Sequence, residues 1–455
     1  MEGFLTILPM LMFPLLAVFL FSGFPVAFGL AGTALIFAMI GMSLSLFEFE
    51  QFFTIVLRIF GNEVSNLLLV AIPMFIFMGT MLEKSGVANN LLFALQILTR
   101  RLPGGLAVSV MVLGVIMAAS TGIIGASVVL MTLLALPPMM ERNYDPALAT
   151  GTIASSGTLG ILIPPSIMLV IMGNLLNVSV GTLFMAAIIP GLILAGLYMV
   201  YIVTASTLRP ERAPPLPEGL GPDSMGELIL LMLKSFIPPL ALIVMVLGSI
   251  FAGFATPTEA AGVGAFGALI LAALNRRLTL PVLTDVLERS ALTGAMLFGI
   301  FVTATAFSFV FAFLGGHELI SVFVDNLGIG AWGVLFLLLG VVFLLGFFLD
   351  WMQITLIVLP IFAPLVSDLD FGGHVPAAGV LAWFAILVSV NLQTSFLTPP
   401  FGFALFYLKG VAPKSIKIQS IYRGVIPFVI LQLIGLAMVI IWPELALWLP
   451  NKLLD

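Results

Sequence analysis

The sequence lacks cysteine and has few charged residues. Among 455 residues there are no Cys and two His, and Asp, Glu, Lys and Arg together make up 8%, where about 25% is usual for a soluble domain. Without cysteine, disulfides, thiolate metal sites and cysteine nucleophiles are excluded. A net charge of −5 provides no basic surface for nucleic acid. Scarce charge combined with 61% apolar residues predicts an integral protein of the lipid bilayer.

Apolar runs of about 20 residues recur along the whole chain, as membrane-spanning helices require. The short alternating strands of an outer-membrane barrel are absent from the sequence. We therefore predict an all-α polytopic membrane protein. The start of the chain has no basic flank and no small-residue cleavage site, so we expect its first apolar run to be a retained helix.

One apolar segment of spanning length is interrupted near its middle. Residues 151–166 read Gly-Thr-Ile-Ala-Ser-Ser-Gly-Thr-Leu-Gly-Ile-Leu-Ile-Pro-Pro-Ser. A helix in hydrocarbon must satisfy its own backbone hydrogen bonds, which glycine and a diproline disrupt. Such a break is tolerated where it lines protein or a watery cavity, and its freed carbonyls suit a small cation. The segment predicts a broken transmembrane helix at about 147–175 that forms half of a transport site.

The same plan occurs twice in the chain. Pro164-Pro165 is matched by Pro399-Pro400, and an upstream alignment places Ser127 over Asp350. The tract 207–226 is rich in proline and polar residues, which is typical of a linker. We predict a first repeat at 1–206, a cytoplasmic linker at 207–226 and a second repeat at 227–455, with its broken helix at about 376–408.

Each repeat also contains a predicted re-entrant hairpin. The first, at about 104–140, is interrupted at Ala119-Ser120-Thr121-Gly122 and again at Gly125-Ala126-Ser127, so each fragment is expected to be too short to cross. The second lies at about 331–366 and carries Asp350. A carboxylate in this apolar setting is a functional candidate. Its alternative role is that of a tip residue in contact with cavity water.

An odd number of crossings in each half would invert one repeat relative to the other. With both termini on the periplasmic side, all of the 16 Lys and Arg residues except Arg58 and Lys452 fall on the cytoplasmic side. This distribution follows the positive-inside rule. We therefore predict inverted repeats.

The repeated breaks predict chemistry at the centre. Half-helix N-termini direct partial positive charge towards an anion, while hydroxyls, amides and freed carbonyls coordinate sodium through oxygen. Two cation sites around one substrate would result. The competing interpretation is that these Ser and Thr residues only bond to neighbouring helices. Farther on, Gly262–Gly267 fits a GxGxxG pattern but lacks a preceding strand, and Thr256-Pro257-Thr258-Glu259 predicts a capping box.

The motifs resemble a known family. The segments that carry the resemblance are Ala71–Gly79, the interrupted tip at Ser120–Ser127, Leu162–Ser166, Ala255–Ala265, Gly346–Asp350 and Leu397–Gly402. Together they are similar to the large membrane subunit of tripartite ATP-independent periplasmic (TRAP) transporters of DctM type, over nearly the whole chain. The sequence departs from many relatives after Asp350, where Trp351-Met352-Gln353 replaces Pro-Thr.

This resemblance implies sodium-driven symport of organic acids, commonly C4-dicarboxylates and other carboxylates, into the cell across the bacterial inner membrane. It also implies an elevator-type movement of the hairpin-bearing domain. Two partners are implied: a periplasmic binding protein of DctP type and a small four-helix membrane subunit of DctQ type. No spare four-helix segment is present, so we expect that subunit to be a separate chain. No cofactor is implied beyond sodium as coupling ion.

The predicted site residues follow from the breaks and the resemblance. We assign sodium binding to one set of residues from each half and substrate binding to a third set. The sodium sets are Ser120, Gly122, Ser156, Gly157 and Thr158, and then Asp350, Asn391, Thr394 and Thr398. The substrate set is Ser127, Ser155, Pro164, Ser395 and Pro399.

Three alternatives remain at the level of sequence. The first is a stand-alone sodium/dicarboxylate symporter that needs no binding protein. The second is an intramembrane hydrolase that uses Ser155 or Ser156 with Asp350 or a histidine. No histidine lies within a predicted span, however, since His317 and His374 sit beside glycines at predicted helix ends. The third is a passive anion channel, whose flux would not depend on a sodium gradient.

Overall fold

The chain forms helices connected by short turns. A computed structural model describes residues 7–46, 48–121, 124–215, 224–399 and 402–454, and no β-strand occurs among them. The α-helices of the first half are α1 (Met12–Phe21), α2 (Val26–Ser43), α3 (Phe49–Ile59), α4 (Ala71–Lys84), α5 (Val87–Leu98), α6 (Gly105–Thr121), α7 (Ile124–Glu141), α8 (Pro146–Thr158), α9 (Ile167–Leu176) and α10 (Val180–Leu208).

The second half repeats this helical content. Its α-helices are α11 (Met225–Phe251), α12 (Pro257–Leu274), α13 (Leu280–Phe313), α14 (Gly316–Leu327), α15 (Gly330–Leu345), α16 (Trp351–Ser367), α17 (Val380–Leu397), α18 (Phe403–Val411), α19 (Ile418–Ile441) and α20 (Glu444–Leu454). At the start of α12, Thr256 and Glu259 form the predicted capping box with Pro257 as the first helical residue. That prediction is confirmed.

Membrane-spanning length and internal burial distinguish two kinds of helix. In the described part of the chain, 9 helices are long and apolar enough to cross a bilayer. In α11 only 22% of the apolar window is buried inside the protein, whereas the window of 377–397, which contains α17, is 94% buried. Because α11 is the more apolar of the two but mostly uncovered, its surface suits lipid, while α17 is a core element. The predicted all-α polytopic class is confirmed.

Both interruptions predicted from glycine and proline are present in the described chain. Helix α8 ends at Thr158 and continues as a 3-10 turn, Leu159–Ile161, before α9 begins at Ile167. Helix α17 ends at Leu397, and α18 begins at Phe403. In each segment a diproline lies within the gap, where missing amide hydrogens and ring sterics end a helix. In each half of the chain a break therefore divides one apolar segment into two helices, which we call half-helices, although the stretch 377–397 that contains α17 is itself of spanning length.

The first hairpin differs from the sequence prediction. Its second arm, α7, has 18 residues and runs without interruption through Gly125, Ala126 and Ser127. The expectation that every fragment is too short to cross is thus wrong for this arm, which is long enough by length and composition. A glycine in the first turn does not break a helix, because amide groups there have no intrahelical acceptor to lose. Re-entry of this hairpin stays a prediction.

The helix contacts of the two halves are reciprocal. Helix α9 packs on α16, and α18 packs on α7, so each second half-helix contacts the hairpin arm of the other half. Likewise α8 packs on α19, and α17 packs on α10. The contact between α8 and α19 depends on glycines: a Cβ at Gly151 would meet the carbonyl of Gly424, and one at Gly424 would meet the carbonyl of Ala147. Small residues allow such close packing of membrane helices.

Part of the predicted linker is bound to the first half. Helix α10 ends at Leu208 and α11 begins at Met225, close to the predicted limits, while 216–223 lie outside the described residues. The Arg212 carbonyl accepts a hydrogen bond from the Asp145 amide (2.8 Å), and the Ala213 carbonyl accepts one from the Gly104 amide (2.9 Å). The Arg212 guanidinium also pairs with Asp145 at 3.5 Å. The tract therefore connects the start of the hairpin to the start of α8.

Candidate functional site

The half-helices converge on one cavity, which we call the central cavity. Its volume is about 100 Å³. The first residues of four helices line it: Ile124 of α7, Ile167 of α9, Trp351 of α16 and Phe403 of α18. The N-terminus of a helix carries about half a positive charge and unpaired amide hydrogens. Four such ends around one small space form a setting for an anionic group without any basic side chain.

Asp350 is the predicted site residue that lines the central cavity. It is the N-cap of α16, and its side chain accepts from the amide of Gln353 while its own amide donates to the Gln353 side chain at 3.2 Å. This reciprocal pairing is a capping box. It gives a structural reason for Gln353 in a segment that departs from the resembled family. The carboxylate is thereby fixed at the mouth of the hairpin beside the four helix ends.

Side chains of α13 and a second residue of α18 complete the central cavity. Thr293, Met296 and Leu297 of α13 line one side, and Tyr407 of α18 lines another. The Tyr407 ring packs against α7 so closely that a Cβ at Gly125 would lie 3.0 Å from ring atoms. The sequence analysis missed Thr293 and Tyr407. No signal in the sequence singles out either residue, because Phe403, whose helical face Tyr407 shares, is not among the predicted site residues.

The first predicted sodium set lies at the C-terminal end of α8. Ser156 Oγ donates to the Ile153 carbonyl (2.9 Å), and Thr158 Oγ1 donates to the Ser155 carbonyl (3.0 Å). Gly157 permits close packing on α7, since a Cβ there would lie 3.2 Å from the Val128 backbone. Gly122 and the side chain of Ser120 lie outside the described residues. The structure thus brings Ser156, Gly157 and Thr158 together on one buried helix end.

The second predicted sodium set lies mainly on α17. Asn391 donates from Nδ2 to the Leu339 carbonyl of α15 (2.7 Å), which ties the broken helix to the hairpin. Thr394 donates to the Asn391 carbonyl (2.6 Å), and Thr398 donates to the Thr394 carbonyl. A hydroxyl that donates keeps its oxygen lone pairs as acceptors. These bonds orient the hydroxyls and leave oxygen available for a cation.

The predicted substrate residues do not line the central cavity in this structure. Ser127 is buried in the first turn of α7, and Ser155 Oγ donates to the Gly151 carbonyl (2.6 Å). Pro164 is buried in the gap after α8, whereas Pro399 is exposed. Ser395 is buried against Gly346, where a Cβ would strike its side chain. The structure therefore assigns close packing to Gly346 and Ser395, and substrate contact for the set stays a prediction.

Buried polar atoms without partners mark α17 as unusual. Three buried polar atoms have no hydrogen-bond partner within the described residues: Oε1 and Nε2 of Gln393 and the hydroxyl oxygen of Ser395. Both side chains are almost fully buried. Unpaired polar atoms at such depth cost free energy unless a water, ion or solute pairs with them. Gln393 was missed as a site residue, although an amide within an apolar helix is itself a signal.

Solved structures and curated relatives agree with this architecture. A crystal structure of the Alcanivorax borkumensis YdaH transporter superposes with a TM-score of 0.62 over 90% of both chains, at 14% identity, which is a likeness of fold alone. The C4-dicarboxylate TRAP transporter large permease protein DctM of Pseudomonas aeruginosa is 31% identical over 90% of this chain and 92% of its own.

Another relative joins two components in one chain. The isethionate TRAP transporter permease protein DctMQ of Oleidesulfovibrio alaskensis is 30% identical over 94% of this chain, which covers 64% of that protein. Residues 13–445 match the family described as tripartite ATP-independent periplasmic transporter, DctM component. Members of this family are permease subunits and not enzymes, so the hydrolase alternative is excluded. The chain belongs to the DctM family of TRAP transporter large permease subunits.

Proposed function

We propose that the chain is the large permease subunit of a sodium-coupled transporter that imports an organic acid as its carboxylate. The observation that carries the proposal is the central cavity, where four helix N-termini face one space. An anion there is stabilised by backbone dipoles alone. In this proposal, hydroxyl and carbonyl oxygens at the C-terminal ends of α8 and α17 bind sodium. A carboxylate and a cation would thus neutralise each other at the centre of the fold.

The small volume of the cavity supports a moving mechanism. Ligand pockets typically enclose about 300–1,000 Å³, well above the volume of about 100 Å³ found here. A whole dicarboxylate would require α13 to separate from the half-helices. We propose an elevator-type movement in which the hairpins and half-helices shift together against α13. The reciprocal contacts between the halves support their moving as one inverted-repeat body.

Membership of the family supports a proposal for the assembly and its location. As one component of a tripartite system, the chain works with a small membrane subunit and a periplasmic binding protein. We propose that the small subunit is a separate four-helix DctQ-type chain and that a DctP-type protein delivers the solute. We also propose that the complex lies in the bacterial inner membrane with both termini of this chain on the periplasmic side.

Relatives are named for different anions, a C4-dicarboxylate and isethionate. The solute is best identified through its binding protein, by a thermal-shift screen against organic acids. The complete complex is then reconstituted in liposomes with that solute and an inward sodium gradient. We expect uptake that depends on the gradient, the binding protein and the small subunit. Uptake by this chain alone would favour the stand-alone symporter, and uptake unaffected by removing the gradient would favour a channel.

A further inference from the structure

A second cavity, which we call the outer cavity, lies beyond the central one. Its volume is about 410 Å³, and its walls include Arg58, Glu63, Asn174, Thr305 and His317. None of these residues belongs to the sites predicted from sequence. It is large enough for a small organic solute by comparison with ligand pockets in general. Its lining is predominantly polar, in contrast to the apolar helices that surround it.

The two cavities are stacked along the same three helices. Helix α9 contributes Ile167 to the central cavity and Asn174 to the outer one. Likewise α16 contributes Met352 and then Pro360. Helix α13 contributes Met296 and then Ala304. With a rise of about 1.5 Å per residue, the cavities are roughly 10–12 Å apart along each helix.

An apolar layer separates the cavities. Leu297 lines the central cavity, and Phe301, one helical turn further along α13, lines the outer one. Both side chains are almost completely buried. A solute that moves from the outer cavity to the four helix ends would therefore pass this apolar layer. The stacking of the two cavities is typical of two successive binding positions on one solute path.

The outer cavity carries one cation that lacks an acidic partner. The Arg58 guanidinium lies 4.8 Å from the centre of the Phe309 ring. Arg58 forms no ion pair with any acidic residue in the described part of the chain. An arginine that is held by an aromatic face and unpaired can form two parallel hydrogen bonds to a carboxylate. Arg58 is also one of the two basic residues predicted on the outer side.

Glu63 provides a complementary acceptor on the same wall. It sits in a π-helical turn, Phe60–Val64, and only 6% of it is exposed. Thr305 of α13 donates to its Oε1 atom at 2.9 Å, but Oε2 has no partner among the described residues. A buried carboxyl oxygen without a partner costs free energy unless a donor approaches it. π-helical turns occur frequently at functional sites.

A fixed amide bridge lies between these groups and α9. Asn66 donates from Nδ2 to Asn174 Oδ1 at 2.5 Å, and Asn66 Oδ1 accepts from the Leu68 amide at 3.0 Å. Both polar ends of the Asn66 side chain are therefore engaged. The bond uses the oxygen of Asn174 and leaves its Nδ2 hydrogens as donors. The wall thus offers a positive group, amide donors and one free acidic oxygen.

We propose that the outer cavity binds, ahead of the central cavity, a carboxylic acid that also carries an N–H or O–H donor, with its carboxylate on Arg58 and its donor on Glu63. The assignment rests on the proposed function for the direction of travel, but the binding itself does not. The solute class is a hydroxy- or amino-substituted carboxylic acid. A simple diacid without such a donor satisfies Arg58 alone and should bind more weakly.

Direct binding is tested on the purified chain with phenylglyoxal, which modifies arginine, and with L-malate or succinate at millimolar concentration as probes. Peptide mass spectrometry follows modification at Arg58, with the exposed Arg423 as internal control. We expect L-malate to slow modification of Arg58 about threefold or more, succinate to do so less, and neither to affect Arg423. Equal modification of Arg58 with and without both acids would overturn the proposal.

Two variants assign the roles of the groups. In Glu63→Gln, which preserves side-chain size, we expect L-malate and succinate to protect Arg58 equally. In the reconstituted complex, Arg58→Gln should raise the half-saturating solute concentration about tenfold and change the maximal rate by less than about twofold. Lys452→Gln is the matched control, since Lys452 also lies over an aromatic ring, that of Trp448. It should change neither quantity.

The outcomes separate this proposal from the proposed function. The wild-type complex could show normal uptake while Arg58→Gln leaves the half-saturating solute concentration unchanged. That result would overturn the outer site and leave the transport function in place. Protection of Arg58 by L-malate without any sodium-dependent uptake would overturn the transport proposal and support the outer site. If L-malate still protects Arg58 more strongly than succinate does in Glu63→Gln, the role of Glu63 is overturned.

Discussion

The central and outer cavities differ in the groups that they offer to a charged solute. The central cavity has helix ends, one carboxylate and a tyrosine, and its chemistry comes largely from the backbone. The outer cavity has an arginine, a buried glutamate and several amides, so its chemistry comes from side chains. Backbone dipoles are fixed and shielded from salt by surrounding helices, whereas an exposed guanidinium is adaptable and screened. From this difference we expect the outer cavity to select among solutes and the central cavity to accept a wider range of anions.

The strongest way to break this comparison is to fill the central cavity. Gly125→Val places a branched side chain against the Tyr407 ring, whose atoms already lie 3.0 Å from a Cβ at this position. We expect sodium-dependent uptake to fall about 10- to 100-fold, which corresponds to about 1–3 kcal/mol of overpacking. The measurement is initial uptake by proteoliposomes that contain the complete complex.

Two controls accompany this substitution. Gly340→Val adds the same side chain to a hairpin helix where no atom lies within 4 Å, and it should retain uptake. The double variant Gly125→Val, Tyr407→Ala should recover part of the lost activity, because the smaller residue makes room. Full activity of Gly125→Val would show that the central cavity does not need the space beside Tyr407.

A smaller effect is expected from removing one oxygen at the predicted sodium site. In Thr394→Val the hydroxyl that donates to the Asn391 carbonyl is replaced at nearly constant volume. We expect the half-activating sodium concentration to rise about tenfold, measured by uptake at varied sodium. Thr355→Val is the control, because Thr355 makes the same kind of bond, at 2.7 Å to the Trp351 carbonyl. Equal sodium dependence of the two variants would remove Thr394 from the site.

Ionic strength should distinguish the cavities without changing the solute. Interactions of an exposed charge are screened over about 10 Å at 0.1 M salt. When choline chloride is added at constant sodium, we expect the half-saturating solute concentration of the wild type to rise about two- to threefold. That of Arg58→Gln should stay constant. A salt effect that is the same in both proteins would place the screened interaction elsewhere, for example at the binding-protein interface.

The smallest expected effect concerns stability and pH. Burial raises the pKa of the Glu63 carboxyl, an effect that the Thr305 hydrogen bond partly offsets. The folded protein therefore holds this proton to higher pH than the unfolded chain does. Stability from Glu63 is fully present below the unfolded pKa and is lost as pH rises through the folded pKa.

This linkage is measurable by thermal unfolding of the purified chain. Between pH 4.5 and neutral pH, the unfolding temperature of the wild type should fall more than that of Glu63→Gln, by a few degrees at most. The comparison removes pH effects common to both proteins. A parallel decline in the two proteins would show that Glu63 does not titrate differently on folding.

Much of the fold follows from local sequence chemistry. The diproline at Pro164-Pro165 and the glycines before it end α8 where a break was expected, because those residues remove amide donors or helix propensity. The capping box formed by Thr256 and Glu259 was likewise predicted correctly from the sequence. The break expected at Gly125–Ser127 was wrong, since composition does not reveal that a helix N-terminus tolerates small residues there.

The site was less predictable than the fold. Asp350 was found because a carboxylate in an apolar segment is rare. Thr293 and Tyr407 were not, since they reach the central cavity only through packing of α13 and α18 on the hairpins. Glu63 and Thr305 are far apart in sequence, and they come together only because the π-helical turn that follows α3 packs on α13. Contacts of this kind depend on tertiary structure, which a hydropathy pattern does not contain.

The tract that follows α10 offers a place to observe the proposed motion. Because carbonyls of Arg212 and Ala213 accept bonds from Asp145 and Gly104, this short strap must travel with the first hairpin and the first half-helix whenever those bonds persist. A fluorophore attached at Arg209 would therefore ride on the same body. If the proposed movement takes place, its distance to a second dye on α11 would change with each transport cycle in single molecules.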